Sequence, residues 1–253
     1  MSSLVRAASL THYSEVARAS GLDPARMLLD AGLSPRVLDE PDLMIPVDRV
    51  AALLQASAER SGNEAFGLCM AEGRRLSNLG AVGLLVREQP TLRDSLDVLM
   101  RYQPLLNGSL SLMVEAFGQV VVIREEVQPG KAHRATRQRI ELALGVMLRL
   151  LRQFLGADWQ PRRVCLAHPA PRDLRTHHRV LGAAVAFDQD FHGIVCARDD
   201  LDAPNPSADP AMARYARQLL DAAAPAPGDA LPGDVRRAVL QLLPSGRRSN
   251  GEG

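Results

Sequence analysis

With 253 residues, 46% of them hydrophobic, the chain has enough apolar side chains for one large domain or two modest ones. Thirty basic against twenty-nine acidic side chains leave a formal charge of +1, which excludes a global field steering the chain to nucleic acid or an anionic membrane. Cys69, Cys165 and Cys196 are too scattered for a disulfide framework or zinc knuckle. Nothing resembles a signal peptide or the roughly 18 apolar residues of a membrane span, so a cytoplasmic protein is expected.

The first hundred residues read as short helices separated by punctuation. Asp23-Pro24 and Ser34-Pro35 each place a proline after a capping residue, and Gly21 and Gly32 end what precedes them. A longer helix is predicted from Pro46 to Glu59, with Val47, Val50, Leu54 and Ala58 on one face. Leu79 to Arg87 is a compact apolar segment whose Gly80 and Gly83 let a neighbour approach closely. Thr91 opens a helix with Asp94 at the capping-box spacing and Leu92, Leu96 and Leu99 as its buried stripe; Pro104 is expected to end it near Gln103.

From Ser109 the period changes to two. Leu110, Leu112 and Val114 alternate with polar neighbours, and Val121, Ile123 and Glu125 alternate with Val120, Val122 and Arg124. This predicts an antiparallel hairpin over 109–127, turning at Phe117-Gly118-Gln119. A helix of about two dozen residues follows, with Ile140, Leu144, Met147, Leu151 and Phe154 as its core stripe. Leu142, Val146 and Leu150 widen that apolar surface, to be covered either by the N-terminal helices or by a second copy of the chain. Next come a strand at Arg163 to His168, a small helix after Pro171, and paired strands at Val185 to Asp188 and Phe191 to Ala197. A last helix, Pro210 to Ala222, carries Met212, Tyr215 and Leu219 on one face, a second candidate dimer element. The expected fold is α+β: an N-terminal helical region, then an antiparallel sheet in ββαβαββ order with flanking helices.

Residues 1–222 are taken as one domain, 223–233 as a Pro/Gly/Ala linker, and Asp234 to Pro244 as the opening helix of another domain, with Val235, Val239 and Leu242 on one stripe. From about Leu79 onward the chain resembles the N-terminal effector-binding and dimerisation domain of AraC/XylS-type transcription regulators, in its arabinose-binding branch. The resemblance rests on Leu79-Gly80 with Gly83, on TLRDSLDVLMRYQPLLN at 91–107, on Trp159-Gln160-Pro161 with Val164 and His168-Pro169, on Val185-Ala186-Phe187, and on Leu201-Asp202. It implies that 234–253 is the truncated start of a helix-turn-helix domain, so that DNA would be bound only through a missing C-terminal domain.

No catalytic arrangement stands out. There is no GxSxG, P-loop or GxGxxG, and Cys165 and His168, three apart on a predicted strand, face opposite sides. His177 and His178 point about 100° apart on a helix and cannot chelate one metal. Arg172, Arg175 and Arg179 around them read as a solvated basic surface. No enzyme activity, metal or cofactor is expected. The candidate effector contacts are Arg134, Arg137, Gln138 and Glu141, which share one helical face with Gly145, and Arg101, Tyr102 and Asn107, which close a helix where the sheet begins. The simpler alternatives are a solvated face carrying an Arg137–Glu141 ion pair, and capping. Gly145 implies a close contact with either a helix or a ligand.

The resemblance implies a non-enzymatic sensor: a homodimer that binds a small-molecule effector and controls DNA binding by the missing domain. The rival readings are a stand-alone small-molecule enzyme or carrier of the same fold, and a dimerisation module without a ligand.

Overall fold

The computed structural model describes residues 3–127 and 137–223. Residues 224–233 of the predicted linker, the segment Asp234 to Pro244, and Arg134 lie outside the described residues, and Ala223, expected to open the linker, is the last residue of the final helix.

The N-terminal part is helical, tied by a small ribbon in which β1 (Leu4–Arg6) pairs antiparallel with β2 (Met44–Pro46). Between them lie α1 (Tyr13–Ala19) and α2 (Pro24–Asp30). Asp23 caps α2 as its spacing predicts, its Oδ1 accepting from the Ala25 and Arg26 amides. α3 (Val47–Ser61) starts directly after Pro46, and α4 (Phe66–Glu72) and α5 (Ala81–Arg87) follow. Gly83 is needed for a close approach, because a Cβ there would lie 1.9 Å from the Leu76 carbonyl oxygen.

α6 (Leu92–Leu106) is capped by Thr91, whose Oγ1 accepts from the Asp94 amide at 3.2 Å and donates to the Asp94 carboxylate. The helix does not end at Gln103; it runs through Pro104 to Leu106. Proline removes one amide donor, but here the loss falls in the last turn, and the Asn107 amide still closes on the Gln103 carbonyl at 3.0 Å.

The sheet runs β3 (Leu110–Phe117), β4 (Val120–Val127), β7 (Gly193–Ala197), β5 (Arg163–Cys165), β6 (Val185–Ala186) in spatial order. The hairpin β3–β4 forms where predicted; Phe117 pairs with Val120, so the turn itself is Gly118-Gln119, with Gly118 at φ +60°. Two expectations are corrected. The strand predicted over 163–168 stops at Cys165, and β6 and β7 do not pair with each other: β5 lies between them, antiparallel to β7 and parallel to β6. A parallel pair needs a crossover, and the small helix α8 (Arg175–Leu181) supplies it. The fold is α+β with a mainly antiparallel sheet.

α7 (Arg137–Leu155) joins the two halves. Ile140, Leu144, Leu148 and Leu151 are fully buried in the cluster shared with the sheet, α5 and α6; Leu142 and Val146 pack into the cluster built by α1 to α4. The broad apolar surface of α7 is therefore covered within the chain. Gly145 meets another helix rather than open space: a Cβ there would lie 2.5 Å from the Cβ of Ala71 on α4. Alanine normally outperforms glycine inside a helix by about 1 kcal/mol. Here Gly145→Ala is expected to destabilise by about 1–3 kcal/mol through overpacking, and adding Ala71→Gly should recover most of the loss in urea denaturation. Unchanged stability in Gly145→Ala would show that the two helices can separate freely.

The last helix, α9 (Pro210–Ala223), buries Ala216 and Leu220 against the body, while Met212, Tyr215 and Leu219 are exposed. No helix among the described residues is long and apolar enough to cross a membrane.

Candidate functional site

The predicted polar face of α7 is largely consumed by structure. Gln138 is buried, its Oε1 accepting from the Gly67 amide and its Nε2 donating to the Glu64 carbonyl, each at 2.8 Å. Arg137 donates through Nε to Glu141 Oε1 at 3.0 Å. Glu141 itself is fully buried, with His177 Nε2 at 3.0 Å and His168 Nε2 at 3.2 Å from the same oxygen. Burial alone would raise its carboxyl, but the two histidine contacts and the nearby His177 and Arg137 charges outweigh that and hold it at about 2. Phe187 packs edge-on against the His177 ring. This cluster ties α7 to α8 and to the segment after β5.

The surrounding arginines are held at the surface: Arg175 pairs with Asp173, and Arg179 with Glu72. At the end of α6, Tyr102 donates to Asp221 of α9 at 3.0 Å, with the Arg101 guanidinium over its ring. Asn107 Oδ1 accepts from the amide and hydroxyl of Ser109. The candidates thus fall into three places: Arg137, Gln138 and Glu141 on one end of α7, Arg101 and Tyr102 under α9, and Asn107 at the start of the hairpin.

Asn107 alone among the described candidates lines a half-open cavity of about 150 Å³ between β1, α3, α6, α7 and the β3–β4 hairpin. Its wall is mostly apolar, with Val50, Leu54, Leu99, Leu142, Val146 and Met147 among the lining groups. Four ionisable side chains interrupt it, of which Arg6 is paired with Asp42. Glu125 is 2% exposed with no partner for Oε2, and burial pushes its carboxyl up to about 8. Arg74 is 7% exposed; it donates to the Ala8 carbonyl but leaves Nε without a partner, and burial, with the Arg6 charge, brings it down to about 10. Arg139 donates to Ser109 Oγ and is lowered by burial. The cavity adjoins an open cleft of about 830 Å³ rimmed by Arg75, Arg87, Arg149 and Arg152, with Arg74, Leu79, Val146 and Leu150 common to both.

Glu125 is not among the contacts predicted from the sequence, although the signal was present. It continues the alternation of Val121 and Ile123, both fully buried, so its carboxyl had to enter the same interior. Arg139 and Arg74 carry no such pattern, because nothing local says which arginine is turned inward.

An apolar cavity with few polar groups suits a small ligand. The cysteines offer no activated nucleophile: burial raises all three thiols, Cys196 to about 12. Among the described residues no group of three His, Cys, Asp or Glu is placed to hold a metal ion.

Residues 21–205 match the family model described as the N-terminal arabinose-binding domain of AraC transcription regulators. Over 253 residues the chain is 27% identical to the HTH-type transcriptional regulator VirS of Mycobacterium tuberculosis, covering 98% of this chain and 74% of that protein. The crystal structure of the transcriptional regulator CdpR from Pseudomonas aeruginosa is similar at a TM-score of 0.58 with 17% identity, over 77% of this chain and 59% of that one. That likeness is one of fold.

Proposed function

This chain belongs to the family of AraC transcription regulators through their N-terminal arabinose-binding domain, and on that premise we propose that it senses a small molecule in the cavity beside α7. The observation that carries the reading is the cavity itself: an apolar space of about 150 Å³ into which two nearly buried ionisable groups, Glu125 and Arg74, bring unpartnered polar atoms. Such atoms are costly unless something pairs with them, and a ligand is what a sensor would supply.

The route to output runs along α6. One side of this helix gives Leu99, Gln103 and Leu106 to the cavity, while Tyr102 holds Asp221 of α9. A ligand that prefers one placement of α6 therefore biases α9, and the bias equals its differential affinity for the two placements. α9 leads toward the segment expected to connect to a helix-turn-helix domain, and its exposed Met212, Tyr215 and Leu219 form the proposed homodimer contact.

The test is a thermal-shift screen of the purified chain against amino acids, polyamines, sugars and carboxylic acids, repeated on Ala143→Phe, which fills the cavity. A ligand that raises Tm in the parent and fails to do so in the filled variant is the expected result. Stabilisation that survives in Ala143→Phe, or none from any class, would remove the cavity as the effector site.

A further inference from the structure

We infer that the ligand of this cavity is a small monocarboxylate: a compact apolar body with a single anionic head held by Arg139. The inference rests on the reading of the cavity as a binding site and adds the chemistry of its occupant.

Arg74 and Arg139 both line the space, and among the described residues neither has a carboxylate within ion-pair distance. Arg6, which also reaches the cavity, does have one, in Asp42. Asp48 acts on Arg139 only at longer range. The one acid in the wall, Glu125, does not compensate them. Its Oε2 has no partner, and burial raises its carboxyl to about 8, so near neutral pH it is mostly a neutral group that can donate a proton in a hydrogen bond. The cavity therefore holds one nearly buried guanidinium, Arg74, and one partly buried, Arg139, with no carboxylate among the described residues in ion-pair distance of either. Burying an unpaired charge is expensive, and an anionic ligand is the missing partner.

Geometry favours Arg139 as the group that holds the head. Its described side-chain hydrogen bond is to Ser109 Oγ, whose own proton goes to Asn107 Oδ1. This chain orients the guanidinium and leaves other N–H groups for a carboxylate. Arg74 is tied to the Ala8 carbonyl with the Arg6 charge close by and leaves Nε unpartnered, so it serves as a second, fixed positive charge in the wall. The rest of the lining limits the body. A cavity of about 150 Å³ accommodates a molecule of roughly benzene size, about six carbons. The arginine-rimmed cleft beside it presents the same sign of charge to an approaching anion.

The test uses one carbon skeleton with four heads: hexanoate, hexanol, hexylamine and norleucine, titrated calorimetrically into the purified chain at pH 7. Hexanoate is expected to bind at least about ten-fold tighter than the other three, the margin of a charge-assisted hydrogen bond. Arg139→Met should close the gap between hexanoate and hexanol. Should that variant fail to fold, Ser109→Ala, which frees the guanidinium from its anchor, should narrow the same gap. Equal or tighter binding of hexanol, hexylamine or norleucine would overturn the monocarboxylate while leaving the cavity a binding site. If none of the four binds, the monocarboxylate is likewise overturned, and the wider screen with Ala143→Phe then decides the cavity separately. A hexanoate preference that persists undiminished in Arg139→Met would also overturn it.

Discussion

Replacing Glu141 with leucine is expected to destabilise the chain by about 3–5 kcal/mol, the range for removing one partner of a buried charge cluster. The cost comes from what remains. Arg137 is a quarter exposed and can turn to solvent, but His177 is fully buried and its Nδ1 already lacks a partner, so without Glu141 both ring nitrogens would be orphaned. The same carboxylate gives the parent chain an acid limb. Its folded value, about 2, lies below the unfolded one, near 4.5. A depressed carboxyl contributes stability that is fully present above the unfolded value and is lost as pH falls from about 4.5 toward 2. At about 1.4 kcal/mol per unit that contribution is about 3 kcal/mol. Urea denaturation at pH 7 and pH 3 checks both parts: the parent should lose stability between them, and Glu141→Leu should lose correspondingly less. Equal acid sensitivity in the two chains would mean that Glu141 does not anchor α8 to α7.

The parts of this fold that could be read directly from the residues are those set by near neighbours. Asp23 before Pro24, Thr91 three before Asp94, and the alternation through Val121 and Ile123 each express a local rule, and each element formed where expected. Pro104 misled because the rule against proline describes helix interiors, and here only the final turn is affected. The pairing of β6 with β5 was hidden for a different reason: each strand is very short, and only the crossover through α8 brings them together. The Glu141 cluster is harder still, since His168 and His177 reach α7 only after that crossover is made. The same holds for the cavity, where Val5, Leu54, Leu99 and Leu142 come from four elements far apart in the chain. The candidate contacts drawn from helix ends were chosen for chemistry that is visible on the chain; whether such a group faces a cavity or a neighbouring helix is decided by packing. Glu125 is the exception. A charged residue continuing a buried alternation announces its own burial.

Glu125→Gln is expected to stabilise the chain by about 3 kcal/mol at pH 7, an uncommon direction for a substitution at a buried position. Here the folded carboxyl is raised, to about 8, while the unfolded one ionises near 4.5. Between those values the folded state holds a proton that the unfolded state releases, so stability falls as pH rises through 4.5 and levels off above about 8. Glutamine keeps the shape and cannot ionise in either state. The gain should therefore vanish at pH 4, grow with pH, and be largest at pH 8 and above, which denaturant midpoints of the two chains at pH 4, 6 and 8 would show. A group this costly persists where activity needs it, since stability and function commonly trade against each other at binding sites. A gain that is absent or independent of pH would mean that Glu125 is already compensated in the folded chain. In that case the wall would carry a negative charge opposing Arg74 and Arg139, and the case for an anionic ligand would lose its electrostatic basis.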